Sequence, residues 1–127
     1  MASPRLAVNG TLMRGLELNQ NMIDAGATFV RETTTEPHYR LWSIRDIHPA
    51  MQRAISGGSA VALEVWDVPN DGLLSILQNE PTGLCIGRVI LSDGEEILAV
   101  LGEQYLCQDQ REITEYGGWR RYIAAMK

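Results

Sequence analysis

Residues 6–15 read Leu6-Ala7-Val8-Asn9-Gly10-Thr11-Leu12-Met13-Arg14-Gly15, a short apolar strand that breaks at a glycine into a small polar turn. Glycine lets the backbone adopt conformations that other residues avoid, so such a turn can aim several N–H groups into one small space. Those groups would bind a carbonyl or anionic oxygen. The alternative is that Gly10 only lets the chain turn at the end of a strand.

Extended segments recur at short intervals along the rest of the chain. They are predicted at residues 5–9, 27–31, 39–44, 59–68, 85–91 and 96–101, each bounded by Gly, Pro or polar residues. In segment 59–68, Val61, Leu63 and Val65 alternate with Ala62, Glu64 and Trp66. Both faces are therefore partly apolar, which predicts a strand that is covered on two sides or lines a barrel.

Turn and cap residues indicate a hairpin and three short helices. Asp93-Gly94 separates the last two strands and predicts a type I′ turn, which needs positive φ at both central residues. Helices are predicted at residues 19–25, 71–78 and 119–126 from apolar spacing and capping residues. Residues 48–55 leave two interpretations open: a helix that begins at Pro49, or a hairpin with the strand after Gly57-Gly58.

Composition indicates one folded domain that covers residues 1–127. The chain is 45% hydrophobic and 21% charged, which is typical of a folded protein rather than a disordered segment. No apolar run approaches the roughly 20 residues that a membrane span requires, so we expect no membrane association. The N-terminal residues 1–5 lack the long apolar stretch of a secretory signal, and we therefore expect a cytoplasmic protein.

The charge balance argues against nucleic acid as a partner. The formal net charge is −5, whereas phosphate binding draws on a clustered surplus of Lys and Arg. The one local concentration of basic residues, Arg120-Arg121 with Lys127, lies at the end of the last predicted helix. We interpret it as positive charge that complements the dipole at the end of that helix.

Cysteine and histidine spacing predicts neither a metal site nor a catalytic triad. Cys85 and Cys107 are far apart and lack the paired C-x-x-C pattern, while His38 and His48 precede a strand and a proline. The histidines are expected at the surface, with no supporting carboxylate motif. No phosphate loop or dinucleotide fingerprint appears either, so we expect no cofactor.

The order of these segments resembles a known family, the C-terminal domain of allophanate hydrolases. The first matching pieces are Leu6-Ala7-Val8 through Gly10 to Met13-x-Gly15, Leu18-Asn19, Gly26-Ala27-x-Phe29-Val30-Arg31-x-Thr33 and Tyr39-Arg40-Leu41-Trp42. The later ones are Leu63-Glu64-Val65-Trp66-x-Val68-Pro69, Gly83-Leu84-x-Ile86-Gly87-x-Val89-x-Leu91, Asp93-Gly94, Gly102-Glu103 and Ile113-Thr114-x-Tyr116-Gly117-Gly118-Trp119-Arg120-x-Tyr122. The resemblance covers nearly the whole chain from Leu6 onward.

The resemblance implies an α+β, gamma-glutamylcyclotransferase-like fold, a small mixed β-barrel with a few short helices and a small-molecule pocket at its mouth. In that superfamily a Gly-Ser/Thr-Leu turn after the first strand holds the substrate by its backbone amides, and Gly10, Thr11 and Leu12 match it. Asn9 stands where the superfamily often has tyrosine. We count Asn9 and Tyr39, the latter from the matched Tyr39-Arg40-Leu41-Trp42 segment, as further candidate substrate-binding residues.

Three glutamates are candidates for the acid or base. Glu80 follows a leucine-rich helix, about where the superfamily's cyclotransferases place their glutamate, but it could also cap that helix at the surface. Glu64 lies within an apolar strand, so it must be paired or face water or a pocket. Glu103 follows Gly102 at a strand end and matches the allophanate hydrolase pattern.

The resemblance implies chemistry on N-carboxylated ureas or amides, because the family domain is implicated in releasing carbon dioxide and ammonia from such an intermediate. Two alternatives stay open. The chain could be a non-catalytic ligand-binding or assembly module that partners a separate amidase, or a gamma-glutamylcyclotransferase-type enzyme. Fold alone does not choose between them. The family also makes a homo-oligomer an expectation, although no surface stripe in the sequence predicts one.

Overall fold

A computed structural model describes residues 4–126, so the expectations on residues 1–3 and on Lys127 lie outside the described residues. These residues form eight strands and four short helices. The strands are β1 (Arg5–Val8), β2 (Thr28–Thr34), β3 (Tyr39–Ile44), β4 (His48–Arg53), β5 (Ala62–Asp67), β6 (Leu84–Ile90), β7 (Glu96–Gly102) and β8 (Arg111–Glu112). The helices are α1 (Asn19–Asp24), α2 (Asn70–Asn79), α3 (Gln104–Cys107) and α4 (Trp119–Ala125), with a 3₁₀ turn at Thr114–Tyr116.

The strands form two sheets. The larger has five strands in the order β2-β5-β1-β7-β6, and the smaller has three in the order β4-β3-β8. Among the described residues, β1 and β7 are the one parallel pair, so the larger sheet is mixed. Strand β5 is central in this sheet, between β2 and β1. Residues 63–66 point alternately to its two faces and are all buried, so both faces are covered. The structure thus confirms the prediction that this strand is covered on two sides.

The predicted barrel is not closed in the described part of the chain. Beyond the ends of strands β2 and β6, one isolated bridge joins Thr35 to Leu91. Two backbone hydrogen bonds flank it, from Glu36 N to Ile90 O at 3.0 Å and from Ser92 N to Thr34 O at 2.9 Å. The sheet therefore curls so that its two edge strands, β2 and β6, approach each other. This bridge and its two flanking hydrogen bonds connect the chain just beyond their ends. The rest of the predicted α+β class, with a mixed sheet and short helices, is confirmed.

Two turns differ from the sequence predictions. The β6–β7 hairpin forms as expected, but its central residues are Ser92 and Asp93, neither of which has a positive φ; only Gly94 does. The turn is therefore not type I′. Residues 48–53 form strand β4 rather than a helix, and β4 pairs with the preceding strand β3 instead of the strand after Gly57-Gly58. Pro49 is tolerated there because β4 is the edge of its sheet.

Candidate functional site

A cavity of about 310 Å³ lies where strand β1 ends. The loop after β1, the β3–β4 turn, the end of helix α2 and strand β7 all contribute to its wall. Most of the lining is apolar, including Val8, Leu12, Leu18, Ile47, Leu84 and Val100. The elements that build it come from both sheets, so the cavity exists only in the complete fold.

The loop Gly10–Leu12 lines this cavity, and its three backbone N–H groups have no partner among residues 4–126. Its carbonyl groups are all engaged. Gly10 O accepts from Met13 N at 3.0 Å, Thr11 O from Leu18 N at 2.9 Å, and Leu12 O from Asn19 Nδ2 at 2.9 Å. Within one planar trans peptide the C=O and the N–H point in opposite directions, so these bonds turn the N–H groups of Thr11 and Leu12 the other way. We call Gly10–Leu12 the N–H cradle.

Glycine is required at position 10 by close packing rather than by a positive φ. A Cβ there would lie 2.6 Å from Cδ and 2.8 Å from Cγ of Pro49, well inside van der Waals contact. The adjacent Asn9 is buried, and its amide nitrogen donates to Val100 O at 3.2 Å and contacts Met51 Sδ at 3.7 Å. These contacts use the amide hydrogens of Asn9 and leave its carbonyl oxygen as the group that a ligand could engage.

Glu80 lines the same cavity, directly after helix α2. Its side chain is half-buried, and burial raises the pKa of its carboxyl group to about 7. An ordinary glutamate is ionised at neutral pH, whereas this one is protonated for a substantial part of the time. The cavity therefore combines unbonded N–H donors with a carboxyl group that can give or take a proton near pH 7.

Three further polar side chains stand at the cavity: Glu17, Asp46 and His48. Asp46 Oδ1 accepts 2.5 Å hydrogen bonds from Ser43 Oγ and Tyr122 OH, and these bonds lower the pKa of Asp46. His48 Nδ1 lies 3.0 Å from the Pro49 carbonyl oxygen. Among the described residues, the lining holds three carboxyl groups and no Lys or Arg.

Glu64 lies outside this cavity and is fully buried. Its Oε1 accepts from Arg14 N at 3.0 Å and Trp66 Nε1 at 3.2 Å, while its Oε2 accepts from Arg14 Nε at 3.2 Å and Arg120 Nη2 at 3.0 Å. Burial alone would raise the pKa of Glu64, but these four hydrogen bonds outweigh it and the pKa is lowered. Of the outcomes left open for Glu64, the structure has the paired one, and Glu64 also lines a second cavity together with Glu32 and Arg120.

The structure corrects the interpretation of the basic residues near the C-terminus. Arg120 and Arg121 lie in the first turn of α4, so they do not complement the negative end of that helix's dipole. Arg120 instead donates to Glu64 and, at 2.5 Å, to the carbonyl oxygen of Arg14. The sequence had no signal for this pairing, because the partners lie 56 and 106 positions away.

The other candidate residues lie apart from the N–H cradle. Glu103 is exposed in an adjoining groove, which shares Ile47, His48 and Pro81 with the cavity. Tyr39 is buried in the core, where its hydroxyl accepts from Ile90 N at 3.1 Å, and it does not line the cavity. The structure thus brings together Asn9, Gly10, Thr11, Leu12 and Glu80, and leaves Glu64, Glu103 and Tyr39 outside.

Helix and metal-site geometry add two observations. None of the helices within residues 4–126 is both long and apolar enough to cross a membrane. In the same range, no three His, Cys, Asp or Glu side chains converge as a metal site would require.

Comparison with known proteins shows that the sequence of this chain is similar to that of one family. The model of the family described as allophanate hydrolase C-terminal domain matches residues 4–124. Urea amidolyase of Saccharomyces cerevisiae is 32% identical over 132 aligned residues, which cover 98% of this chain and 7% of that protein. The chain therefore spans about 7% of the length of the curated relatives that it matches.

Solved structures agree with the sequence comparison. The crystal structure of c4763, described as a uropathogenic E. coli-specific protein, is 55% identical with a TM-score of 0.95, and 98% of each chain is covered. Kluyveromyces lactis allophanate hydrolase is 29% identical with a TM-score of 0.94, over 100% of this chain and 22% of that one. These likenesses confirm the predicted fold, apart from its barrel, which stays open in the part of the chain that the structure describes.

Proposed function

This chain belongs to the family of allophanate hydrolase C-terminal domains, and from that premise we propose that its cavity binds a small N-carboxylated amide or urea and breaks its C–N bond to release carbon dioxide. One observation carries the proposal: the N–H cradle and the half-buried Glu80 line one cavity. N-carboxycarbamate, in which one nitrogen joins two carboxylates, is the simplest substrate of this class.

The N–H cradle supplies the binding half of the chemistry. The unbonded N–H groups of Gly10, Thr11 and Leu12 can hold the carboxylate that stays on nitrogen. Fixed backbone dipoles stabilise such an oxygen without the cost of reorganising water around it. The buried Asn9 amide oxygen is suited to accept the N–H of the substrate.

Glu80 supplies the proton. In its neutral form it donates a proton to the substrate nitrogen while the C–N bond breaks, and the bonding electron pair passes to nitrogen. The departing carboxylate then leaves as neutral carbon dioxide, the product is a carbamate, and Glu80 regains its proton from water. A second protonation of the carbamate nitrogen releases ammonia and another carbon dioxide. A pKa of about 7 suits this role, because both forms of Glu80 are populated near neutral pH.

The apolar lining of the cavity also favours the release of carbon dioxide. A carboxylate that is pressed against Val8, Leu84 and Val100 loses hydration, whereas carbon dioxide has no charge to hydrate. The apolar wall therefore penalises the reactant carboxylate more than the neutral product.

A second candidate function is non-catalytic binding of a neutral urea-like or amide ligand, including service as a module beside a separate amidase. The absence of Lys and Arg from the described lining, beside three carboxyl groups, favours it. Such a wall repels a dianion but accepts the N–H groups of a urea. The two candidates differ in one property, because only the first predicts turnover.

The test is ammonia release from allophanate by a separate amidase, measured with and without this chain. The amidase supplies the N-carboxylated intermediate, and we expect the chain to accelerate its breakdown above the spontaneous rate. Glu80→Gln should reduce that acceleration by about 10²-fold or more, a typical contribution of general acid catalysis. Gly10→Ala should weaken it as well, because the new methyl group displaces Pro49 or the N–H cradle.

Glu103→Gln is the matched control variant. It removes the carboxylate of Glu103, which lies in the adjoining groove. It should keep the acceleration. Loss of acceleration in Glu103→Gln but not in Glu80→Gln would move the acid to the groove and contradict this proposal. Saturable binding of urea or an amide with no acceleration at all would establish the binding module instead.

A further inference from the structure

We propose that buried Glu64, which does not line the cavity, is a positioning residue that holds the N–H cradle in its binding conformation. The inference rests on the proposed function, because it assigns the loop that carries the cradle a role in ligand binding. It gives Glu64 no contact with substrate.

Glu64 fixes both ends of the five-residue loop Asn9–Met13. Its backbone lies opposite Val8 in the antiparallel β1–β5 ladder, so the residue before the loop is held at Glu64. Its side chain then accepts the N–H of Arg14, the residue after the loop, at 3.0 Å. One residue of β5 therefore closes the loop, and the three N–H groups of the cradle lie between its two attachment points.

Arg14 and Arg120 hold the Glu64 carboxylate in place for this contact. Arg14 Nε and Arg120 Nη2 bind Oε2, which leaves Oε1 for the Arg14 N–H and for Trp66 Nε1. Arg120 also donates to the Arg14 carbonyl oxygen, so the residue after the loop is held on both of its peptide groups. The exposed fraction of the Glu64 side chain is 2%, so water has little access to its carboxylate oxygens, which strengthens these bonds.

Burial of the Glu64 carboxylate costs free energy of folding, so we ask what glutamate does at this position that an apolar residue could not. Burying a carboxylate requires several compensating bonds, and apolar replacements of buried ion pairs are often neutral or stabilising. What an apolar side chain cannot do is accept the N–H of Arg14, so the benefit specific to glutamate is control of the loop backbone.

The test compares Glu64→Gln with Arg14→Ala by NMR of the ¹⁵N-labelled full chain, followed by titration with malonate. Malonate carries a CH₂ where N-carboxycarbamate carries N–H, so it cannot lose carbon dioxide by nitrogen protonation. The single oxygen of glutamine cannot serve the Arg14 N–H and both guanidinium groups together. We expect Glu64→Gln to speed amide exchange at Arg14 by about tenfold, the loss of one hydrogen bond. We also expect it to shift the amide resonances of the N–H cradle and to raise the malonate Kd by about tenfold.

Arg14→Ala is the matched control, because it removes the ion pairs of Arg14 but keeps its backbone N–H on Glu64. Because Arg120 still binds the carboxylate in this variant, it should shift the cradle resonances and raise the malonate Kd clearly less than Glu64→Gln does. Arg120→Gln removes one hydrogen bond to Glu64 and the hydrogen bond to Arg14 O. It should shift the cradle resonances and raise the malonate Kd, but less than Glu64→Gln does. If the Glu64→Gln chain does not fold, Arg120→Gln serves as the test variant.

Two results would overturn the inference. One is a folded Glu64→Gln chain with unchanged cradle resonances and unchanged malonate affinity, since Glu64 would then support stability alone. The other is an equal effect of Arg14→Ala, which would assign the role to the ion pair. If the wild-type chain binds no malonate, the proposed function fails for this ligand class, while the cradle resonances still test Glu64 by themselves.

Discussion

At the scale of single residues, burial raises the pKa of Glu80. Its folded pKa of about 7 lies above the value of about 4.3 that glutamate has in unfolded chains. Between these two values the folded state binds more protons than the unfolded state, so the contribution of Glu80 to stability falls as pH rises through this window. Below it the neutral carboxyl group costs little, and above it a charged group must stay in the cavity.

We therefore predict that Glu80→Gln stabilises the chain at about pH 8 by about 1–2 kcal/mol and changes little at about pH 5. The expected gain is smaller than the full linkage because the cavity admits water. Urea-induced unfolding at the two pH values measures it. Exposed Glu103→Gln is the control and should alter the free energy of unfolding by less than about 0.5 kcal/mol at both. A gain from Glu80→Gln that is equal at both pH values would contradict this prediction.

At the scale of elements, the β3–β4 turn places Ile47 and His48 at the cavity. Arg45 and Asp46, its central residues, both have positive φ, 55° and 59°, and Ile47 N donates to Ile44 O at 2.9 Å. This is the backbone of a type I′ turn, which asparagine and glycine adopt with less strain than arginine. The turn is kept in place by the bonds of Asp46 to Ser43 and Tyr122.

Arg45→Asn should relieve part of this strain and raise the free energy of unfolding by about 0.5–1 kcal/mol, because asparagine visits the left-handed region more readily. The side-chain bonds of Asp46 and the bond from Arg45 N to Gln110 remain available to the variant. Asp46→Ala, which removes the acceptor for Ser43 and Tyr122, should instead destabilise the turn. Thermal unfolding of both variants measures these opposite effects, and a loss of stability in Arg45→Asn would show that arginine contributes a contact that outweighs the strain.

The β3–β4 turn is an example of a feature that the sequence does not predict. Six of the strands and the three longest helices follow from apolar periodicity, and the oxygen-binding loop follows from a glycine after a buried strand. The sequence does not decide the structure of residues 48–53, because the turn before them contains arginine and aspartate rather than the asparagine and glycine that mark type I′ turns. The choice among Glu64, Glu80 and Glu103 could not be made either. It depends on contacts between residues 50 or more positions apart, such as Arg14 with Glu64, which no local pattern encodes.

At the scale of the whole molecule, the cavity joins parts of both sheets and the end of α2, so a ligand that fills it binds only the complete fold. A ligand at 100 times its Kd stabilises such a protein by about 2.7 kcal/mol. For a dianion the size of this effect should depend on pH. Ionised Glu80 adds a further negative charge to a cavity that has no Lys or Arg in its described lining.

We predict that a fixed malonate concentration raises the free energy of unfolding more at about pH 6 than at about pH 8, with a difference of about 1.4 kcal/mol for each tenfold rise in Kd. Denaturant unfolding with and without malonate at both pH values measures it, with sodium chloride of matched ionic strength as the control for screening. In the Glu80→Gln chain, the malonate effect should lose most of this pH dependence, because the group that becomes charged is gone. Equal stabilisation of the wild-type chain at both pH values would mean that the dianion binds away from Glu80, and the carboxylate would then lie outside the reach of the proposed proton donor.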